Sequence, residues 1–446
     1  MRRRARQGTP PRVKSDPQLA ARSAALDLLE AALARRAGLD EALGGPAMNK
    51  LSPRDRAFAR AVAMAALRHL GPIDKALAGK LTRPPPDPVR NILRLGAAQA
   101  FWLEVPAFAA VATSVELAAA RKGTRAFKGL VNAVLRGLLR DGPPAATPED
   151  LAPPWLFARW RAAYGEAGAR AIAELIAQEP ATDLSLKSPA DADRLAPELE
   201  AEPLPGGSLR TARRGDLAEW PGFDEGAWWV QDASAAIPAR LLDVRPGESA
   251  LDLCAAPGGK TLQLAAAGAQ VTAVDRSAPR LKRLSENLAR TRLAAEVVVA
   301  DAGEWTDARA FDAVLLDAPC TSTGTFRRHP DVLWAARPGE IASLAAVQMR
   351  LLAAAADRVK PGGRLVYCVC SLEPEEGEAQ LARFLAARPD FALTPVAAGE
   401  GGAPEEGVRP DGALRILPHH LPGGCDGFFV ARLTRSAALP VSGGAG

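Results

Sequence analysis

Apolar and polar positions follow one period in the first third of this chain and another in its last half. In RAFKGLVNAVLRGLLR, residues 125–140, the apolar members are Phe127, Leu130, Val131, Val134, Leu135 and Leu138. Steps of three and four predict a helix with one buried face. Arg125, Lys128, Asn132, Arg136 and Arg140 fall on the opposite face, a basic stripe. Similar spacing at Val89, Ile92, Leu93, Ala97 and Ala100 predicts another helix, and Pro84-Pro85-Pro86 breaks the run before it. Residues 18–140 therefore read as all helix.

DGPPAATPEDLAPPW, residues 141–155, signals a linker. One or two helices are expected over 155–178, and a small α+β insert over the Pro/Gly-rich 180–226. From about residue 228 strands and helices alternate. SALDL (249–253), QVTAVD (270–275), EVVVAD (296–301), DAVLLDAP (312–319), RLVYCVC (364–370) and DGFFVARL (426–433) read as strands. Helices are expected from about Lys260, after an N-cap at Ser277, and near 340–358. Such alternation predicts a mostly parallel, doubly wound sheet. The expected division is a basic tail (1–17), a helical domain (18–142), linker helices with a small α+β domain (150–227), an α/β domain (228–435) and a second tail (436–446).

Composition narrows the class. The 446 residues are 48% hydrophobic and 24% charged, a globular balance of more than one domain. Five unevenly spaced cysteines point to a reducing compartment, hence the cytoplasm. MRRRARQGTPPRVK lacks the apolar core of a secretory signal, and no window is read as the ~18 apolar residues of a membrane span. No metal-ligand ladder of His and Cys occurs. Nothing in the pattern demands an oligomer, so a monomer is expected. The net charge of +5 hides an asymmetry: residues 1–140 carry 25 Lys/Arg and 10 Asp/Glu, the remainder 31 and 41. A basic module joined to an acidic one suggests that the first meets a polyanion.

Ligands of doubly wound sheets bind beyond the carboxyl ends of the strands, and the chemistry-bearing residues gather there. DLCAAPGGKT, residues 252–261, joins a strand to a helix. It fits neither the Walker loop nor GxGxxG, so phosphate binding is disfavoured. Asp275 and Asp301 end the next two strands, a pattern suited to a ribose and an adenine. Together these describe a site for an adenosine without a phosphate demand, which S-adenosylmethionine satisfies. Asp317-Ala318-Pro319-Cys320 and Cys370-Ser371 end two further strands and bring two thiols to the same edge. A disulfide between Cys368 and Cys370 is disfavoured, because strand positions i and i+2 lie roughly 6.5–7 Å apart. Cys368 reads as a small buried hydrophobe.

The set QDASA (231–235), DLCAAPGGKT, Asp275, Asp301, DAPCTSTGTFRRHPD (317–331), CSLEPEEGE (370–378) and DGFFVA (426–431) resembles the Sun-type (RsmB/NOP) RNA cytosine carbon-5 methyltransferases. LSPRDRAFARAVAMAALR (51–68) and KGLVNAVLR (128–136) resemble the NusB-like domain that one branch of that family carries. DAPCTSTG stands for the more usual DAPCSGTG, and Leu186-Lys187-Ser188 for an Arg-Val-Asn segment. The resemblance implies an all-α NusB-like, RNA-binding domain and a Rossmann-like class I methyltransferase domain acting on small-subunit (16S) rRNA. It implies that Cys254, Ala255, Ala256, Pro257, Gly258, Gly259, Lys260, Asp275, Asp301 and Asp317 bind the methyl donor. It makes Cys370 the nucleophile, with Cys320 assisting release and Asp317 holding the base. RNA contacts are expected at Arg125, Lys128, Arg136, Arg327 and Arg328, with His329 beside them. A DNA or tRNA cytosine methyltransferase, or a non-catalytic rRNA-binding assembly factor, remain the alternatives.

Overall fold

The computed structural model describes residues 17–35 and 38–437. The expected tails, 1–17 and 436–446, lie outside these but for their innermost residues. The chain forms two compact units, Met1–Leu151 and Ala152–Gly446.

The first unit is helical: α1 Pro17–Ala34, α2 Gly38–Leu43, α3 Pro46–Asn49, α4 Pro53–Arg68, α5 Leu70–Ala78, α6 Asp87–Trp102, α7 Ala107–Ala120, α8 Lys128–Asp141 and α9 Pro148–Leu151. Its core comes from the faces that the spacing predicts. Val131, Val134, Leu135 and Leu138 of α8 are buried, as are Val89, Ile92, Leu93 and Ala97 of α6. Arg125, Lys128 and Arg136 are exposed. The three prolines 84–86 lie between α5 and α6, where the helical run stops.

The second unit opens with α10 (Pro154–Glu174), bent at Gly165, whose φ is +74°. A small antiparallel sheet follows: β1 Thr182–Leu186, β2 Ala201–Pro203, β3 Leu209–Thr211 and β4 Trp228–Val230, in the order β2-β3-β1-β4. Helix α11 (Ala192–Glu198) lies beside it, over a core of Leu184, Leu195, Leu199, Trp220 and Trp228. Asp183 of β1 takes Arg210 as an ion pair and accepts the N–H of Ala233, the first residue of α12 (Ala233–Leu242).

The large sheet runs β10-β12-β9-β8-β5-β6-β7, with β11 on β12. Its strands are β5 Ser249–Leu253, β6 Gln270–Asp275, β7 Glu296–Val299, β8 Phe311–Asp317, β9 Val359–Val369, β10 Phe391–Leu393, β11 Leu414–Ile416 and β12 Phe428–Arg435. The five strands from β9 to β7 are parallel, and β12 is antiparallel to β9. From β5 the chain moves outward through β6 and β7, then returns to β8 on the other side. That reversal puts a crevice between the carboxyl ends of β5 and β8. Helices α13 Gly259–Ala266, α14 Ala278–Thr291, α15 Asp331–Ala335, α16 Pro338–Asp357 and α17 Glu378–Ala387 complete the unit. Contrary to the sequence expectation, α16 is long and apolar enough for a membrane span by length and composition. Its Ile341, Ala345, Leu351, Leu352, Ala355 and Ala356 are buried, as on a helix covering a sheet. Ser277 does occupy the N-cap of α14, but its side chain makes no capping bond. Asp275 Oδ1 instead accepts the Ser277 N–H at 2.8 Å.

Candidate active site

The glycine loop leaves β5 at Leu253 and turns over the sheet edge. Cys254 and Gly258 have φ of +61° and +110°. The left-handed backbone at Gly258 demands glycine, and a Cβ there would also lie 2.2 Å from Leu284 Cδ1, which would have to move. Ala255 N donates to Val274 O, and Ala256 N to Asp275 Oδ2 at 3.1 Å. Asp275 is thus buried at the end of β6 and anchors the loop. Arg280, which sequence reasoning did not single out, donates to Ala256 O from α14. Pro257 is exposed and Gly259 begins α13.

Lys260 reaches from the first turn of α13 to the end of β8, where Nζ donates to Asp317 Oδ2 at 2.8 Å. Burial works against its charge, but Asp317, with Cys368 and Asp252, more than offsets this and its pKa is raised. Asp301 sits just beyond β7, accepting from Gly303 N at 2.8 Å and from Arg350 at 3.1 Å. Beneath the loop lies a carboxylate that the sequence analysis passed over. Asp252 is fully buried; Oδ2 accepts from Thr261 at 2.6 Å, and Oδ1 has no partner. Burial pushes its pKa up to about 7.

Two thiols face each other at the neighbouring strand ends. Cys320 Sγ and Cys370 Sγ lie 3.4 Å apart, a hydrogen-bond contact between free thiols. Cys320 is buried and Cys370 half-buried. The hydrogen bond from Cys320 holds Cys370 below its ordinary value; burial opposes this, while the Ser322 hydroxyl and Lys260 support it. Cys320 moves the other way, well up, because it is the donor and because it is buried. Burial also raises Cys254, Cys368 and Cys425. Of the five thiols only Cys370 leans towards thiolate. Cys368 is fully buried, but its sulfur also donates to Asp317 Oδ1 at 3.6 Å.

The thiol loops are braced from several sides. Gly324 N donates to Cys370 O, and Leu372 N to Thr323 Oγ1, both at 3.0 Å. Tyr164 of α10 donates to Leu372 O, and Arg159 pairs with Glu373 and Glu375. The Arg327 expectation needs correction. Arg327 is 2% exposed; it donates to Gly423 O at 2.6 Å and lies 3.8 Å from the buried Asp232 of the QDASA segment. A guanidinium so enclosed braces the loop and is out of reach of a phosphate. Arg328 is partly exposed and paired with buried Asp426.

The crevice residues fit S-adenosylmethionine. Carboxylates stand at the ends of β6 and β7, where an adenosine would meet them. Asp252 Oδ1, buried without a donor beneath the loop, suits the cationic methionine end. Among the described residues no group of three or more His, Cys, Asp or Glu is arranged to hold a metal. A doubly wound sheet with a reversed last strand, a glycine loop at its switch point and carboxylates on successive strand ends defines a class I, S-adenosylmethionine-dependent methyltransferase.

Known proteins narrow the class further. Residues 239–434 match the family model for the 16S rRNA methyltransferase RsmB/F, and residues 19–140 that of the NusB family. Ribosomal RNA small subunit methyltransferase B of Sodalis glossinidius is 37% identical, covering 88% of this chain and 93% of that protein. The protein of the same name from Pseudomonas syringae pv. tomato is 36% identical, covering 97% and 99%. The crystal structure of PH0851 superposes with a TM-score of 0.76 at 25% identity, covering 94% of this chain and 99% of that one. A methyltransferase homolog protein from Pyrococcus horikoshii gives a TM-score of 0.54 at 30% identity, covering 63% and 94%. The chain belongs to the RsmB/F family of methyltransferases, in the branch with an N-terminal NusB domain.

Proposed function

We propose that this chain methylates carbon 5 of a cytidine in small-subunit (16S) rRNA, through a transient bond between Cys370 Sγ and carbon 6 of the ring. The carrying observation is the 3.4 Å contact between the Cys320 and Cys370 sulfurs, with Cys370 held below its ordinary pKa and Cys320 above it.

Carbon 5 of cytosine is a poor nucleophile. Addition of the Cys370 thiolate to carbon 6 breaks the ring conjugation and makes carbon 5 an enamine carbon. Asp317 accepts from the cytosine amino group and steadies charge developing on the ring. Bound S-adenosylmethionine supplies an electrophilic methyl group, and the glycine loop with Asp275, Asp301 and Asp252 holds it beside the thiols. Once Cys370 is a thioether it no longer takes the Cys320 hydrogen bond, so the chief cause of the raised Cys320 pKa is gone. Cys320, having passed its own proton to solvent once its pKa falls, takes the carbon-5 proton as a thiolate, directly or through a water. The freed electron pair restores the 5,6 double bond, and the carbon–sulfur bond breaks to return the Cys370 thiolate. The target base is unstacked to enter the crevice.

The helical unit serves as the RNA-holding module, with Arg125, Lys128 and Arg136 on phosphates and Arg328 nearer the active site. The protein acts as a monomer in the cytoplasm. A DNA-type reading, with Cys320 as nucleophile, is disfavoured by that thiol's burial and raised pKa. The test is methyl transfer from labelled S-adenosylmethionine to unmodified 16S rRNA, followed by bisulfite sequencing. One protected cytidine that disappears with Cys370→Ala is expected; label elsewhere than carbon 5 overturns the reading.

A further inference from the structure

One buried carboxylate ties the two thiol loops together. Glu376 is fully buried. Its Oε1 accepts Thr321 N and Gln348 Nε2, each at 2.9 Å, and its Oε2 accepts the hydroxyls of Thr321 and Ser371. Thr321 follows Cys320 and Ser371 follows Cys370. Gln348 donates again to Pro319 O at 3.0 Å, and Tyr367 Oη donates to the Glu376 carbonyl at 2.6 Å. All four side-chain contacts of Glu376 are to neutral donors. A carboxylate buried without a cation in contact is costly, so a merely structural tie between two loops would be cheaper as an amide.

The charges around the sulfur pair explain a carboxylate here. Lys260 and Arg328 act on Cys370, opposed by Asp317 and Cys368. Glu376 acts on Cys320, as does Tyr367. The Ser322 hydroxyl lies 3.9 Å from Cys320 Sγ. On the Cys370 side the cations Lys260 and Arg328 stand against Asp317, whereas on the Cys320 side Glu376 has no cation beside it in this balance. The backbone tie is asymmetric too, because Glu376 holds the main chain of residue 321 but only the side chain of residue 371.

We infer that Glu376 is a positioning residue that keeps the two sulfurs in contact and holds their shared proton on Cys320, leaving the negative charge on Cys370. This rests on the function proposed above. It deepens that reading by saying why one of two adjacent thiols is the nucleophile. In Glu376→Gln the side chain keeps its size and loses its charge, so the negative charge spreads onto Cys320.

The test is iodoacetamide alkylation of Cys370 in the full chain, followed by peptide mass spectrometry across pH. Between the two thiol titrations the Cys370 rate in Glu376→Gln is expected to fall about threefold or more, with the midpoint moved to lower pH. S-adenosylmethionine affinity, measured by calorimetry, reports that the variant is folded. Glu376→Asp withdraws the carboxylate by one methylene and breaks part of the tie; it is the second variant if Glu376→Gln does not fold, with a change of the same sign expected. A Cys370 rate and pH profile equal to wild type in either folded variant overturns the inference. The assay needs neither RNA nor methyl transfer. Failure of the proposed function, seen as methylation by Cys370→Ala, is therefore a separate result.

Discussion

Lys260 Nζ and Asp317 Oδ2, 2.8 Å apart, pin the first turn of α13 to the end of β8 across the switch point of the sheet. Lys260 is buried, whereas the Asp317 side chain is 30% exposed. The pair therefore contributes less to stability than the ~3–5 kcal/mol at stake when a fully buried pair is broken. Its larger effect is on the crevice, because it sets both the glycine loop and the carboxylate beside the thiols. In Lys260→Met, S-adenosylmethionine affinity should fall about tenfold or more, equal to ~1.4 kcal/mol. Titration calorimetry measures this; wild-type affinity in a folded variant contradicts it.

The two thiols should separate by phenotype. Cys370→Ala should leave no methylated cytidine, because no other thiol is shifted towards thiolate. Cys320→Ala should allow addition and methyl transfer but stall release, so a protein–RNA band should persist on a denaturing gel. Release at the wild-type rate would show that Cys320 takes no part in removing the proton.

Asp252 makes a pH prediction. Its carboxyl is raised from the ordinary 3.8 to about 7 in the folded chain. Between those values the folded state holds a proton that the unfolded state has lost. Its contribution to stability is therefore greatest below about pH 4 and is lost as pH rises to about 7, by at most roughly 4 kcal/mol. Asp252→Asn should remove that slope, raising Tm at pH 7.5 more than at pH 4.5, while weakening binding of the cationic methyl donor. Scanning calorimetry at the two pH values checks the first part and titration calorimetry the second. An unchanged slope would mean that Asp252 is ionised throughout.

Arginines in the two units should fail differently. Replacing Arg125, Lys128 and Arg136 together by alanine should weaken RNA binding and reduce the slope of log K against log salt by up to about three units, about one for each lost phosphate contact. Arg327→Ala should leave that slope unchanged but lower Tm, since Asp232 loses a cation in the interior. Binding isotherms at several salt concentrations and a thermal melt separate the two classes. A reduced slope in Arg327→Ala would return that residue to the RNA surface.

How much of this was legible in the chain depends on the range of the interactions. The QVTAVD strand was readable to its ends because every apolar residue in it is buried by its immediate sheet neighbours. Helix α8 was readable because one face repeats at the helical period. The glycine loop DLCAAPGGKT stood out because it joins a strand to a helix at the ligand edge of the sheet. Arg327 was misread because surface and interior arginines look alike in a sequence. Groups distant in the chain, Asp232 95 positions earlier and Gly423 96 later, make it internal. Asp252 was passed over because nothing local says that a carboxylate at a strand end is buried with one oxygen unpaired.

The sequence by itself determined the residue types: two strand-end thiols, a glycine loop and a run of carboxylates, each specified by local pattern and covalent order. It also set the succession of helices and strands, because periodic burial is written in adjacent residues. Only the tertiary structure decided that Cys320 and Cys370, 50 positions apart, meet at 3.4 Å, and that their surroundings push the two thiols in opposite directions. Proton placement depends on distances to charges brought from other strands and helices: Lys260 from α13, Arg328 from the loop after β8, and Glu376 from the turn before α17. Electrostatic energy follows separation in space, and separation along the chain does not encode it.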